Sequence, residues 1–235
     1  MTPTTEPRSK PFLASFDDPA AVAGYADGPR RFVPGLDALH AMTGLLLAER
    51  APADARVLVL GAGGGMELKA LATAYPGWTF VGVDPAGAML DLAERTLGSL
   101  AERVELVRGY IDAAPEGPFD AAVCLLTLHF LDPDERRATV AKIHQRLRPG
   151  APLVVGHTSF PQQPEARGAW LGRYAAYAIA SGVEPEKAHA ARDAVAGALD
   201  LLEPEHDEAI LRDAGFRDVE MFYAVFTWRG WVAYA

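Results

Sequence analysis

The apolar side chains Leu36, Leu39, Met42, Leu45, Leu46 and Leu47 recur at helical spacing, which predicts an amphipathic helix over 34–50. Beyond it the pattern alternates between two periods. Short apolar runs at 56–60, 79–83, 104–108 and 121–126 read as strands, and the segments 66–75 and 88–100 between them read as helices. The run at 121–126 is apolar at every position, as a strand buried on both faces should be. A helix over 134–147, closed by Arg148-Pro149-Gly150, leads to a fifth strand at 152–156. This order predicts a doubly wound parallel sheet with helices on both faces.

The alternation breaks at Thr158. Residues 158–203 contain two helix-like stretches, 165–181 and 184–201, and are rich in Ala and aromatic residues rather than Gly and Ser. That composition predicts a helical lid inserted after the fifth strand, not a linker. After a helix over 205–214, the β runs 219–225 and 227–234 have almost nothing between them, so as neighbours they can pair only antiparallel. The expected organisation is an N-terminal arm, 1–33, followed by one domain, 34–235.

Composition narrows the function classes. Lys plus Arg number 22 against 31 Asp plus Glu, a net charge of −9, which opposes the broad basic face of a DNA-binding protein. Cys124 is the single cysteine, so an internal disulfide framework and a Cys-rich metal site are excluded, and no metal is expected. No apolar run approaches the roughly 20 residues that cross a bilayer, and residues 1–11 lack an apolar signal core. A frayed N-terminal tail, no membrane partner and a cytoplasmic location are the expectations.

The first strand runs into Gly61-Ala62-Gly63-Gly64-Gly65 and directly into a helix. Such a loop presents successive backbone N–H groups and a close backbone surface to a ligand at the strand's carboxyl end. Its spacing is G-x-G-x-G, with Met66 where a dinucleotide fingerprint needs a third glycine, which demotes a nicotinamide oxidoreductase. Nineteen residues past Gly65, Asp84 ends the second strand, where a carboxylate can accept from both hydroxyls of a ribose. The alternative for Asp84 is a surface cap for the helix that follows Pro85.

These segments, with Val81-Gly82-Val83-Asp84-Pro85, Phe119-Asp120-Ala121-Ala122-Val123, Arg148-Pro149-Gly150 and the C-terminal hairpin, resemble the ordered motifs of class I S-adenosylmethionine-dependent methyltransferases. The resemblance runs from about Phe32 to Ala235. It implies a Rossmann-like seven-stranded sheet of order 3-2-1-4-5-7-6 with strand 7 antiparallel. It also implies S-adenosylmethionine as cofactor and S-adenosylhomocysteine as product. The cofactor contacts it implies come from Gly61, Ala62, Gly63, Gly65, Asp84, Pro85, Met89, Tyr110, Ile111 and Leu125, with Arg31 pairing the methionine carboxylate. Tyr25 and Arg30 accompany Arg31 in the segment that could close over that end.

Arg31-Phe32-Val33-Pro34-Gly35, Thr127-Leu128-His129-Phe130-Leu131 and the stretch 222–233 are similar to the carboxy-S-adenosylmethionine synthase branch, which serves tRNA wobble-uridine modification. The branch's carboxylate-binding arginine falls near Ile179, its asparagine at Leu125 and a tyrosine at Leu36. An apolar Ile179 cannot pair a carboxylate, so a carboxylated cofactor is expected only if Arg173 substitutes. Two departures touch the wider family: its first-strand acid is Val59, partly compensated by Glu67, and its adenine-capping polar residue is Tyr110, with Asp112 as an alternative acceptor.

For substrate chemistry, His129 and His157 follow the fourth and fifth strands and are candidate general bases at the sheet's carboxyl edge. Trp170, Tyr174, Tyr177 and Ser181 share one helical face. With Arg173 they form a candidate substrate wall; the alternatives are lid packing or a homodimer contact. Trp228 and Trp231 are expected to pack against helices, and Cys124 to be inert core. The reading is a methyltransferase for a small, partly aromatic acceptor. A carboxy-S-adenosylmethionine synthase-like enzyme of the tRNA pathway and a non-catalytic cofactor-binding module are the alternatives.

Overall fold

The computed structural model describes residues 15–18, 22 and 28–235. Its sheet comprises β1 (Arg56–Leu60), β2 (Thr79–Asp84), β3 (Val104–Arg108), β4 (Ala121–Leu125), β5 (Pro152–Thr158), β6 (Arg217–Val225) and β7 (Trp228–Tyr234). The strands lie in the order β3-β2-β1-β4-β5-β7-β6. The first five are parallel; β7 runs antiparallel to β5, with Val155 opposite Trp231, and antiparallel to β6. The order and the antiparallel seventh strand are those expected. The register slips between β6 and β7 at Arg217/Glu220 and Met221/Tyr223, so the last strand pair is bulged rather than regular.

Helices cover both faces. On one lie α1 (Gly28–Phe32), α2 (Leu36–Ala48), α3 (Met66–Ala74) and α4 (Gly87–Leu97), with α6 (Pro164–Ala180) and α7 (Pro185–Ala198). Leu39, Leu68, Leu71, Tyr174 and Val195 share one apolar core there with Val57, Val59 and Val123. On the other, α5 (Pro133–Arg146) and α8 (Pro204–Asp213) bury Val140, Ile143, Ile210 and Leu211 against Leu58, Cys124 and Val155. The strand alternation sends consecutive residues to opposite cores. Cys124 is fully buried.

Local chemistry sets the helix starts. Asp132 caps α5, its carboxylate accepting from the N–H groups of Asp134 and Glu135 at 2.9 and 2.8 Å, while Glu135 accepts from the Asp132 N–H. Proline opens α5, α6, α7 and α8 at the first helical turn, where its missing N–H is not needed. Sequence periodicity did not announce α1. Its contacts are long-range: the Trp228 indole N–H donates to the Phe32 carbonyl at 3.0 Å, and the Tyr223 hydroxyl donates to the Pro34 carbonyl. Residues 28–33 are therefore joined to the domain through the C-terminal hairpin, while most of the expected arm, Tyr25 included, lies outside the described residues. Among the described residues no helix is long and apolar enough to cross a membrane.

Candidate active site

The loop between β1 and α3 lies at the carboxyl edge of the sheet. A Cβ at Gly61 would fall 1.9 Å from the Thr127 hydroxyl, and one at Gly63 would meet only the Met89 methyl at 3.4 Å and a backbone oxygen at 3.8 Å. Glycine is thus required at the first position by a neighbouring side chain, and at the second it leaves bare backbone facing open space. Gly65 packs α3 against Ala93 of α4. The expected row of outward N–H donors is largely consumed inside the protein. Gly61 and Ala62 donate to the Val83 carbonyl at 2.8 and 3.0 Å, Gly65 to Ala62 at 2.9 Å, and Gly63 to the Asp84 carboxylate at 2.9 Å. What the loop offers is chiefly close approach.

A cavity of about 890 Å³ opens beside this loop. Gly61, Gly63, Asp84, Pro85, Met89, Tyr110, Ile111 and Leu125 line it; Ala62 and Gly65 do not. The second Asp84 oxygen accepts from the Ala86 N–H at 2.9 Å, so this carboxylate braces both the glycine loop and the turn into α4, and each oxygen keeps a further lone pair. Burial pushes its pKa up, against the pull of those two backbone bonds. Asp17, before the first long helix, donates nothing here but accepts the Gly87 N–H at 2.8 Å and completes the start of α4.

On the far side of the cavity stand Phe32, Leu36, Leu125, Phe130, Tyr174, Val195, Leu199 and Trp228. Tyr174 stacks on Phe32 with ring centroids 5.4 Å apart. Two imidazoles share this chamber, His129 and His40. The Nδ1 of His129 accepts the Thr158 N–H at 3.4 Å, a long bond, which leaves the ring proton on Nε2. Burial holds His129 well below the usual imidazole pKa and brings His40 down to about 4. Both rings are neutral at pH 7. His40, Trp228 and Phe32 were not marked as site residues by the sequence. Helical periodicity assigns His40 to the apolar face of α2, but nothing local shows that this face borders a chamber.

Several expected site residues are elsewhere. His157 shares the parity of Val155 and faces the opposite core, where its Nε2 lies 3.2 Å from Asp207 and its ring borders Trp231. It does not line the cavity, and the base expected there is displaced by strand parity. The aromatic stripe on α6 splits, and only Tyr174 reaches the cavity. Trp170 lies beneath the guanidinium groups of Arg173 and Arg229 at 4.3 and 5.5 Å, and Tyr177 sits 6.0 Å from Phe226. Arg31 contacts the Gly182 carbonyl at 3.5 Å and is not a lining residue. Among the described residues no group of three or more His, Cys, Asp or Glu could hold a metal ion.

The second residue of α3, Glu67, also lines the cavity and is only 8% exposed. Burial raises its pKa to about 8, against a bond from its own backbone and with the Asp84 charge adding to the rise.

The fold and the glycine-loop cavity are those of the class I S-adenosylmethionine-dependent methyltransferases. Residues 58–153 match a methyltransferase domain family. The chain is similar to a carboxy-S-adenosyl-L-methionine synthase of Chromohalobacter salexigens, 32% identical over 94% of this chain and 83% of the relative. It belongs to that branch of the family. The fold is shared with an O-methyltransferase family protein of Burkholderia thailandensis, at TM-score 0.70 and 19% identity over 96% of this chain. It is also shared with human N-acetylserotonin methyltransferase in complex with SAM, at 0.63 and 15% over 97%. The chain spans 62% and 59% of the length of those two structures. The family's cofactor, S-adenosylmethionine, is compatible with the residues present. Bare backbone at Gly63 and an acid with spare lone pairs at a strand tip face a cavity large enough for a nucleoside.

Proposed function

We propose that this enzyme methylates a small, uncharged, largely apolar acceptor. When bound, S-adenosylmethionine supplies a methyl group on a sulfonium, an already activated leaving group. Gly61, Gly63 and Asp84 would hold the adenosine half, with Asp84 accepting from ribose hydroxyls. Pro85, Met89, Tyr110 and Ile111 would flank the base. The chamber walled by Phe32, Leu36, Leu125, Phe130, Tyr174 and Trp228 would exclude water and orient the acceptor. In a displacement of this kind, positioning and desolvation supply much of the acceleration.

One observation carries the reading: among the described residues lining the cavity there is no Lys or Arg, and its histidines are neutral. Such a chamber has no cationic side chain among the described residues to offset the desolvation of an anionic acceptor. With Nδ1 occupied, His129 presents Nε2–H, a donor suited to a carbonyl or hydroxyl oxygen, instead of the base expected from sequence. Calorimetry with S-adenosylhomocysteine tests the donor half: Asp84→Ala should bind at least tenfold more weakly than wild type, and equal affinities would refute the assignment. A panel of neutral and anionic hydroxylated aromatics tests the acceptor half, with methyl transfer expected to the neutral members only.

A second reading is supported by the 32% identity to the synthase across most of the chain. It calls for a carboxylated ligand retained through purification, detectable by mass spectrometry of the denatured protein and lost in Arg173→Ala. Leu36 and Leu125 line the cavity as apolar surface, and Ile179 and Arg173 are not lining residues, which favours the methyltransferase reading over it.

A further inference from the structure

Among the described residues, the charged side chains lining the cavity are all acids: Asp17, Glu67 and Asp84. Asp84 is bonded to two backbone N–H groups, and Asp17 is exposed and accepts from Gly87. Glu67 differs from both. It is more than nine-tenths buried, it faces the cavity, and among the described residues no ion pair or hydrogen bond joins it to another residue's side chain. The titratable groups that act on it are Asp84 at the tip of β2 and Cys124 on β4; Asp17, whose carboxylate is 3.9 Å from the exposed Arg108, and Tyr110, Tyr174, His40 and His129 line the same cavity. None of these lining groups brings a positive charge at neutral pH.

We propose that Glu67 is the counter-charge reserved for the cationic donor: it stands protonated in the empty cavity, gives its proton to solvent as the donor enters, and takes one back when the neutral thioether product remains. This rests on the reading of the cavity as the donor site. The donor carries a sulfonium and an ammonium against one carboxylate, a net charge of +1, while the product has lost the sulfonium charge and is net neutral. A buried carboxyl bonded only to its own backbone, with no opposite charge beside it, is costly to ionise and becomes cheaper to ionise when a cation is placed there. Glu67 therefore distinguishes donor from product by charge, a difference of one unit that shape and hydrogen bonding at the adenosine end do not register.

The raised Glu67 pKa, about 8, leaves the group mostly protonated at pH 7. Proton release on binding is measured by calorimetry in buffers of different ionisation enthalpy, using S-adenosylmethionine and S-adenosylhomocysteine on wild type and Glu67→Gln. The donor should release roughly 0.9 proton through this group at pH 7, and the product less than half of that. The affinity ratio of donor to product should rise roughly ten- to fiftyfold between pH 6 and pH 8 in wild type and stay flat in Glu67→Gln. The ligands' own ammonium groups titrate in both proteins and cancel in the difference between them. Infrared difference spectra of the wild-type protein give a readout that needs no variant: the protonated-carboxyl band should vanish on adding donor and persist on adding product. Equal proton counts for the two ligands, or a wild-type excess surviving in Glu67→Gln, overturns the role of Glu67 while leaving the donor site intact. Failure of both ligands to bind withdraws the site and the inference together.

Discussion

Glu67 and Asp207 are both buried carboxylates, one at the cavity and one on the opposite face of the sheet, and they titrate in opposite directions. Burial raises both. At Asp207 the effect is outweighed by His157 and by Arg136, whose Nη1 lies 2.6 Å away, and the carboxyl is brought down to about 2. Arg136 also donates to the carbonyls of Leu131 and Asp200. The Asp207 cluster ties α5, α8 and β5 into one polar knot inside an apolar core. Glu67 has no such company. A buried acid whose partners are built in is structural; Glu67, bonded only to its own backbone, is the one proposed to receive a cationic ligand.

The largest expected effect comes from breaking the knot. Asp207→Asn leaves Arg136 buried without its counter-charge and should lower stability by about 3–5 kcal/mol in urea unfolding, while the folded fraction binds S-adenosylhomocysteine as wild type does. A loss below about 1 kcal/mol, the range of an exposed pair, would show that the pairing is not maintained. Asp207 also has a sign in pH. Its folded pKa lies below the unfolded value, so its contribution is present above pH 3.8 and is lost as pH falls toward 2.

Glu67→Gln should act the other way. Its folded pKa is about 8 against 4.5 unfolded, so wild-type stability declines as pH rises between these values, and the variant escapes that decline. Each pKa unit corresponds to about 1.4 kcal/mol. Water entry through the cavity discounts that ceiling, so the variant without ligand is expected to be more stable by about 2 kcal/mol at pH 8. At pH 5 the gain should be near zero. Thermal melts across this range check it, and a gain independent of pH would mean that Glu67 is not protonated in the folded state.

Smaller effects sharpen the contrast at the cavity wall. His40 is held neutral by burial, with a folded pKa of about 4, so linkage sets a ceiling of about 2.5 kcal/mol on the stability lost as pH drops from 6.5 toward 4; discounted for water entry through the cavity, a fall of about 1 kcal/mol is expected, and His40→Gln should flatten that limb of the profile. Trp228→Phe deletes the indole N–H bond to Phe32 and should cost about 1 kcal/mol. It should also loosen α1 and raise the acceptor KM more than it lowers kcat. A change in kcat alone would place Trp228 at the reacting atoms instead of at the wall.

The sheet was legible because its signals are local. Five apolar runs punctuated by glycine, proline and helical periods, followed by two β runs with almost no gap, leave few alternatives to the observed order. Asp84 was legible through its distance from the glycine loop. His157 was misassigned although its parity with Leu153 and Val155 was available, since all three point to one core. The split of the α6 stripe was not available, because helical spacing says which residues share a face and not which neighbour that face meets.

Hydrophobic period, glycine sterics and helix caps act over a few residues, and they carried the class, the order of the strands and the place of the glycine loop. Protonation states, tautomers and the walls of the chamber depend on groups brought together from distant parts of the chain. Trp228 meets Phe32 across 196 positions and Arg136 meets Asp207 across 71. Whether a buried carboxyl is paired or waiting is a property of the field at one point in space, set by solvent exclusion and by every charge that folding brings near. The spacing of residues along the chain holds no such field, which is why Glu67 and Asp207 acquire opposite characters only when the domain has closed around them.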